Sequence, residues 1–210
     1  MPSRRFVVAG LGTGFAVPTA ALAQQHAGHN PLYAHLRDPS ATGLPPGAEG
    51  QRFAYSPAPP AASPGRWVER SMLPLPRSET AWATAETDRM HVVGGRMDTF
   101  HFNTGLHLAY DPAADKWQER APLPTPRSGH GGVLYRGRLF VMGGEGTRRA
   151  FAQNEAYDPA ADAWEAFAPM PPSRHGLGAA VVGDAIHVAG GGPVMGGGVQ
   201  SAVHEAFTLG

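Results

Sequence analysis

The chain has 210 residues, among them 28 Gly, 21 Pro and no Cys. Its formal net charge is zero, so the composition indicates no basic surface for nucleic acid and no acidic surface loaded with cations. The lack of Cys excludes disulfides, thiolate metal sites and thiol catalysis.

Residues 1–23 have the pattern of an export signal. Arg4 and Arg5 give a positively charged start, an apolar stretch containing Gly follows, and Ala21 and Ala23 form a small-x-small cleavage site. The start SRRFV resembles a bacterial twin-arginine signal, and a general secretory signal is the alternative. The sequence therefore predicts a periplasmic or secreted protein, with no membrane span once the signal is removed.

Residues 24–65 are rich in Pro, Ala and Gly and are predicted to form a flexible segment. Cleavage after Ala23 would place His26 third from a free amine, a nitrogen arrangement that suits Cu(II) or Ni(II). A solvated tail is the alternative interpretation. The sequence indicates no other metal site and no cofactor.

Residues 66–210 contain a repeat. The stretch YDPAADKW begins at Tyr110, and YDPAADAW begins 47 residues later at Tyr157. A Trp precedes an Arg by ten residues in each of three units: Trp67 and Arg77, Trp117 and Arg127, Trp164 and Arg174. A period of this length decides the architecture before any local assignment. The predicted units are about 67–117, 117–164 and 164–210.

Each unit contains short segments with the alternation of β-strands. The predicted strands are 67–71, 78–85, 89–93 and 106–110, then 129–134, 138–142 and 153–157, then 176–182, 185–189 and 203–207. The Asp-Pro after each Tyr starts a turn. A Gly doublet, which permits positive φ and close backbone approach, follows the second strand of each unit: Gly94 and Gly95, Gly143 and Gly144, Gly190 and Gly191.

The doublets, the Tyr-Asp-Pro turns, the spaced Trp residues and the period together resemble the kelch-repeat β-propeller family. The resemblance implies an all-β fold in which blades of four antiparallel strands surround a central channel. It also implies that the repeated Trp, Tyr and Gly residues are structural, with a Trp and the preceding Tyr on adjacent strands.

Three blades are fewer than the roughly 4–8 that close a propeller. One expectation is half of a six-bladed ring, closed by a homodimer in which the Trp67 strand of each copy completes the last blade of the other. The other expectation is a non-functional, truncated partial propeller with exposed blade faces.

Three arginines at one repeat position are candidate binding residues: Arg77, Arg127 and Arg174. Because each precedes a predicted inner strand, their guanidinium groups are predicted to ring the channel mouth and to bind carboxylates or phosphates. The alternative is a structural Arg that binds loop carbonyls within each blade.

Other candidate polar residues do not recur between units: Glu79, His130, Glu145, Arg148, Arg149 and His175. His91 and His187 share a position in the second strand, where burial in the sheet is favoured over metal ligation.

The loops 96–104, 145–152 and 192–202 differ completely between units, and the second contains Arg148 and Arg149. Variable loops on a fixed scaffold favour binding. The predicted function is therefore an exported scaffold for a protein or carbohydrate partner in the cell envelope.

Enzymatic activity is the less favoured prediction. The alternative is a sugar mutarotase resembling the N-acetylneuraminate epimerases, in which a Glu and an Arg of the channel would suit acid–base catalysis. No motif assigns catalytic residues to this chain. A radical cofactor like that of galactose oxidase needs a Cys, which the sequence lacks.

Overall fold

The computed structural model describes residues 65–86, 88–97 and 100–210, and Trp67–Gly210 forms one compact unit. The predicted signal 1–23, His26 and nearly all of the segment 24–65 lie outside the described residues. Within the described part, no helix has the length and apolar character that a membrane crossing needs.

The described residues form four antiparallel sheets, of which three are blades and one is a two-stranded hairpin. Blade 1 contains β1 (Ala81–Ala85), β2 (Arg89–Val93), β3 (His107–Asp111) and β4 (Lys116–Arg120). Blade 2 contains β5 (Gly131–Tyr135), β6 (Arg138–Met142), β9 (Asn154–Asp158) and β10 (Ala163–Ala166), and a small hairpin, β7 (Glu145–Gly146) and β8 (Arg149–Ala150), lies between its second and third strands. Blade 3 contains β11 (Gly178–Val182), β12 (Ala185–Ala189) and β13 (His204–Phe207). A short 3-10 helix, Phe100–Phe102, lies between β2 and β3 in the chain. The predicted all-β fold is confirmed: blades 1 and 2 have four antiparallel strands each, and blade 3 has three.

Two features differ from the predicted strands. Residues 67–71 form no strand, and Trp67 is fully exposed. A strand needs a neighbour for its N–H and C=O groups, and the described residues provide none beside this segment. The hairpin β7–β8 was not predicted, because strands of two residues are too short to produce an alternating pattern.

The apolar core lies between successive blades. Ala81, Ala83 and Val93 of blade 1 pack with Leu139 and Tyr157 of blade 2. The small side chains of β1 allow close approach, since a Cβ added to Gly132 would lie 2.7 Å from the Cβ of Ala81. Blades 2 and 3 pack through a second cluster of large side chains: Tyr135, Phe140, Met142, Ile186, Val188, Phe167 and Phe207. Each inner blade face is thus buried by its neighbour.

The Tyr-Asp-Pro turn of blade 2 holds blade 1 through what we call the aspartate clamp, formed by Tyr157, Asp162 and Trp164 on Ala121. The Asp162 Oδ1 atom accepts hydrogen bonds from the Tyr157 hydroxyl at 2.7 Å and from the Ala121 N–H at 2.9 Å. The Trp164 Nε1–H donates to the Ala121 carbonyl at 2.8 Å. Both backbone groups of the residue after β4 are therefore bound by the next blade.

Blade 1 has the same clamp, applied to Ser71. The Asp115 Oδ1 atom accepts from the Tyr110 hydroxyl at 2.6 Å and from the Ser71 N–H at 3.0 Å. The Trp117 Nε1–H donates to the Ser71 carbonyl at 3.0 Å. Ser71 thus occupies, relative to blade 1, the position that Ala121 occupies relative to blade 2.

A buried histidine pair joins the middle strands of blade 1. The His91 Nδ1 and His107 Nε2 atoms lie 2.8 Å apart, and His107 Nδ1 lies 3.1 Å from the Ala121 carbonyl oxygen. Burial is the main cause that lowers the pKa of His107 to about 3 and also lowers the pKa of His91. The structure therefore shows the burial that was favoured for His91, whereas His187, at the same position of blade 3, is only half-buried. Blade 2 has Phe140 and Asn154 at these positions, and Asn154 Nδ2 donates to the Ala168 carbonyl at 3.1 Å.

We expect this pair to make stability depend on pH. Both rings are neutral in the fold, whereas in the unfolded chain they titrate near a pKa of about 6.5. Their contribution is therefore complete above about pH 6.5 and is lost as the pH falls toward the folded pKa values. The double variant His91→Phe, His107→Asn, which copies blade 2, should flatten the dependence of the unfolding free energy on pH between about 6.5 and 4, measured by urea denaturation.

The control for this experiment is His101→Asn, because His101 is exposed. It should leave the slope of unfolding free energy against pH unchanged. An equal slope in the double variant and in the unaltered protein would contradict the assignment.

Candidate functional site

The three repeated arginines are part of the blades. Arg127 is fully buried, donates to the carbonyls of Thr125 at 2.9 Å and Val141 at 3.0 Å, and pairs with Glu155. Because its guanidinium group is used in these contacts, it is closed to an outside carboxylate or phosphate.

Arg174 and Arg77 repeat this arrangement. Arg174 is also fully buried and donates to the carbonyls of Gly190 at 2.6 Å and Val203 at 3.0 Å, and to Glu205 at 2.6 Å. Arg77 donates to the carbonyls of Gly94 at 2.8 Å and Val92 at 3.2 Å, and burial lowers its pKa to about 10. All three side chains therefore match the structural alternative, and they do not form an open ring at the mouth. Peptide carbonyls at the end of each second strand need donors, and the arginines supply them.

Five other polar side chains meet at one end of the blades. We call them the mouth cluster: Glu79, Arg96, His130, Glu145 and His175. They line an open cavity of about 500 Å³ together with Gly196 and Gly197 of the loop 192–202. The structure thus brings together four of the non-repeated polar candidates from three different blades.

Backbone hydrogen bonds between blades position Glu79. The Gly129 N–H donates to the Glu79 carbonyl at 3.0 Å, and the Gly176 N–H donates to the Gly129 carbonyl at 2.7 Å. All three residues have positive φ, which suits the two glycines, while Glu79 adopts a φ of 55°. A residue with a side chain costs about 1 kcal/mol or more in this region, and such strain concentrates at functional sites.

Arg96 and Glu145 each follow a Gly doublet and bridge back to the start of their own blade, to Ser78 and Ser128 respectively. Arg96 pairs with Glu79, and its Nη1 lies 3.0 Å from the Glu145 Oε1 atom. One guanidinium therefore joins two carboxylates, one from each of two blades.

The Glu145 carboxylate is the most enclosed group of the cluster. Its side chain is 3% exposed, and its Oε2 atom accepts from the Gly196 N–H at 2.8 Å and lies 3.5 Å from His175 Nδ1. The His175 Nε2 atom lies 2.8 Å from the Val194 carbonyl oxygen. Glu145 thus links blades 1 and 3 and anchors the loop 192–202. The cluster thus contains two carboxylates and one guanidinium.

His130 supplies a neutral imidazole beside the cavity. Its Nε2 atom lies 3.2 Å from the Ala81 nitrogen and 3.1 Å from the Val93 carbonyl oxygen. Its buried Nδ1 atom has no hydrogen-bond partner among the described residues. Burial, followed by the charge of Arg127, lowers its pKa to about 3, so the ring stays neutral at physiological pH.

Arg148 and Arg149 lie outside the cavity, at the exposed tip of the hairpin β7–β8, and Arg148 has a φ of 82°. The Arg149 guanidinium carbon lies 5.1 Å from the centroid of the Phe151 ring. The hairpin begins at Glu145, so these exposed charges are directly joined to the mouth cluster.

Sequence reasoning missed Arg96. The signal that could have identified it is its position: the residue after the Gly doublet is Arg96, Glu145 and Gly192 in the three units. A variable residue after an invariant doublet points to a site at the mouth. In the described part of the chain, no group of three or more His, Asp or Glu side chains could hold a metal ion.

These features define a β-propeller protein with repeated blades and a charged mouth. Residues 126–171 match the Kelch motif family, and the predicted resemblance to kelch-repeat proteins is confirmed.

Similar proteins include several with Kelch repeats. The chain is 40% identical to beta-scruin of Limulus polyphemus over 57 residues, which is 27% of this chain and 6% of that protein. It is 31% identical to an F-box/kelch-repeat protein of Arabidopsis thaliana over 77 residues, 37% of this chain and 20% of that protein. It is 32% identical to Kelch-like protein 41 of Homo sapiens over 80 residues, 38% of this chain and 13% of that protein. The matches thus cover a fifth or less of each of these relatives.

A solved structure titled "Structure of YjhT" is similar with a TM-score of 0.49 and 24% identity, over 56% of this chain and 35% of that chain.

The burial of Arg127 gives a test of its structural role. Arg127→Lys should lower the free energy of unfolding by about 2–5 kcal/mol, because Glu155 and the Thr125 and Val141 carbonyls lose directed donors in a buried site. Urea denaturation measures the loss. The matched control is Arg136→Lys, at an exposed ion pair with Asp184, which should change stability little. An Arg127→Lys variant as stable as the control would contradict the structural role.

Proposed function

We propose that the chain is an exported scaffold that binds a protein or glycan partner in the cell envelope through the mouth cluster and the adjoining hairpin. One observation carries the proposal: residues repeated between blades hold the fold, while the unrepeated charged residues Glu79, Arg96 and Glu145 line the cavity. In propellers of this kind the loops change freely on a fixed framework.

The cavity has the size and chemistry of a binding site. Its volume of about 500 Å³ is within the range of ligand pockets. Carboxylates accept and a guanidinium donates hydrogen bonds, so the cluster offers both kinds of partner to sugar hydroxyls or to polar protein side chains. The exposed Arg148 and Arg149 extend this surface toward acidic groups of a partner.

The proposed location is the periplasm or the exterior of a bacterial cell. Support comes from residues 1–23, with their twin-arginine-like start and their small-x-small site. The scaffold needs no cofactor in this proposal.

A homodimer that closes one six-bladed ring is part of the same proposal. Three blades leave the channel open on one side, and two copies give a number that closes propellers. The truncated, non-functional form remains the competing hypothesis, and it predicts that no ligand binds at the mouth.

Sugar mutarotation is a second candidate, favoured by two carboxylates and the neutral His130 beside one cavity. Such groups suit proton transfer to and from a sugar oxygen. Saturation-transfer NMR on free sialic acid and simple aldoses separates the two functions: the scaffold predicts anomer exchange at the uncatalysed rate.

The binding proposal is tested with the full mature chain on a glycan array and in affinity capture from envelope extracts. Isothermal titration with the ligand so identified should show that Arg96→Gln weakens binding by about tenfold or more, because it removes the charge that joins the two carboxylates.

Arg136→Gln is the control for this titration, since Arg136 lies in the turn between β5 and β6. It should bind like the unaltered protein. Equal binding by the Arg96 variant, or no ligand in either screen, would contradict the proposed site.

A further inference from the structure

The two end faces of the stack of blades are exposed. The trailing face, on blade 3, includes Val182 at 62% exposure, although its equivalents Ala85 and Tyr135 are buried. The leading face, on blade 1, includes Trp82 at 68% exposure. Each face has the alternating apolar pattern of a face that packs on another blade.

Glycines of the trailing face have open space where their equivalents are packed. A Cβ on Gly131 would lie 2.8 Å from Leu177 and 3.2 Å from the Ala179 nitrogen. Gly178 has the same place in β11 and has nothing within 4 Å of such a Cβ. Thr80 and Trp82 are the repeat equivalents in blade 1 of Leu177 and Ala179. If another blade 1 followed blade 3, its Thr80 and Trp82 would fill this space. A glycine suited to close approach therefore faces an empty position.

The hydrogen bonds between blades also stop at these faces. The Gly95 N–H donates to the Arg127 carbonyl at 2.9 Å, and the Gly144 N–H donates to the Arg174 carbonyl at 2.8 Å. Gly191 is the equivalent glycine of blade 3. If another blade 1 followed blade 3, the Gly191 N–H would donate to the carbonyl of its Arg77.

In the same way, the series that runs from Glu79 to Gly129 to Gly176 would continue from the Gly176 carbonyl to the N–H of a Glu79. Blade 3 thus presents one donor and one acceptor, and blade 1 presents the matching acceptor and donor.

Blade 3 has three strands and lacks the fourth, outer strand of the other blades, to which residues 66–70 are equivalent in the repeat. Trp117 and Trp164 pack on Tyr110 and Tyr157 of the neighbouring strand, with ring centroids 5.0 and 5.4 Å apart. By register, Phe207 is the equivalent of these tyrosines, since it faces Ile186 as Tyr157 faces Leu139. In the described residues, β13 pairs with β12 on one side, and no strand lies along its other edge.

The aspartate clamp of blade 1 directs residues 67–71 away from their own blade. Ser71 is held as Ala121 is held, and Ala121 directly follows the outer strand of the preceding blade. Residues 66–70 therefore have the position of an outer strand in a blade that precedes blade 1, because they are equivalent to β4. Trp67 is fully exposed there, and Val68 is 55% exposed.

We propose that a second copy of this chain occupies both faces: residues 66–70 of each copy form the fourth strand of the partner's blade 3, with Trp67 opposite Phe207, while the leading face packs on the trailing face. The inference rests on the homodimer of the proposed function and specifies its interface. Strand addition supplies backbone hydrogen bonds, and the packed faces supply apolar burial. Two identical contacts then close the ring.

An engineered disulfide tests the register. Gln118 faces Ala109 and Glu165 faces Ala156 in the two complete blades, so Val68 should face Ala206 of the partner subunit. Facing residues have Cα atoms about 4.5–5.5 Å apart, which suits a disulfide. The chain has no Cys, so Val68→Cys with Ala206→Cys introduces the only thiols.

The full mature chain should run as a dimer in light scattering, and the oxidised double variant should form a covalent dimer on a denaturing gel that reductant reverses. Neither single variant should do so. A monomer in light scattering at every concentration overturns both the homodimer and its interface. A dimer that fails to cross-link overturns the proposed interface alone, and ligand binding at the mouth is measured independently of both.

Trp67→Ala gives a second measurement without affecting a folded sheet, because Trp67 belongs to no strand of its own blade. We expect the dimer dissociation constant to rise by about tenfold or more, as for a central aromatic of an interface. Phe102→Ala, which removes another exposed aromatic, is the matched control and should leave the constant unchanged. Equal effects of the two variants would contradict the contact between Trp67 and Phe207.

Discussion

The attachment of each blade to the next is the constraint on which the rest of the structure depends. A blade contacts only its neighbours, so the fold is a sum of blades and of the contacts between them. Backbone bonds between a Gly and an Arg occur at both contacts between blades, and the aspartate clamp joins blade 2 to blade 1. The mouth cluster draws residues from all three blades, and the pairing of Arg96 with Glu145 therefore requires the blade spacing that the clamp maintains.

Much of the fold follows from the repeat, because the residues that recur are those that hold successive blades together. Tyr157, Asp162 and Trp164 were recognisable as turn and strand residues. Asp162 and Trp164 bind Ala121, and the Tyr157 hydroxyl binds Asp162, so all three serve one contact between blades. The segment 67–71 has the right sequence for a strand and forms none in the single chain. A repeat pattern shows that a segment can form a strand. The strand forms only when a neighbouring strand is present to accept and donate its backbone hydrogen bonds.

The candidate site was only partly predictable from the sequence. Arg77, Arg127 and Arg174 were grouped as candidate binding residues because they recur at one repeat position. A residue that recurs in every blade more directly indicates a structural role common to all blades, and here that role is to donate hydrogen bonds to buried carbonyls. Glu79 and Glu145 are isolated in the sequence, and only the backbone bonds between blades bring them to one cavity. Arg96 joins them, and the sequence marks it only by its position directly after the Gly doublet, where the three units differ.

Glu79 shows how the site and the assembly are connected. Its positive φ disfavours a side chain, and the equivalent residues of the other two blades are Gly. The ion pair with Arg96 offsets this cost. The same residue begins the series of backbone bonds through Gly129 and Gly176. In the proposed ring, Glu79 of one copy would follow Gly176 of the other, so each strained carboxylate would lie where the two subunits meet. Dimer formation would then enclose the cavity on the side that three blades leave open.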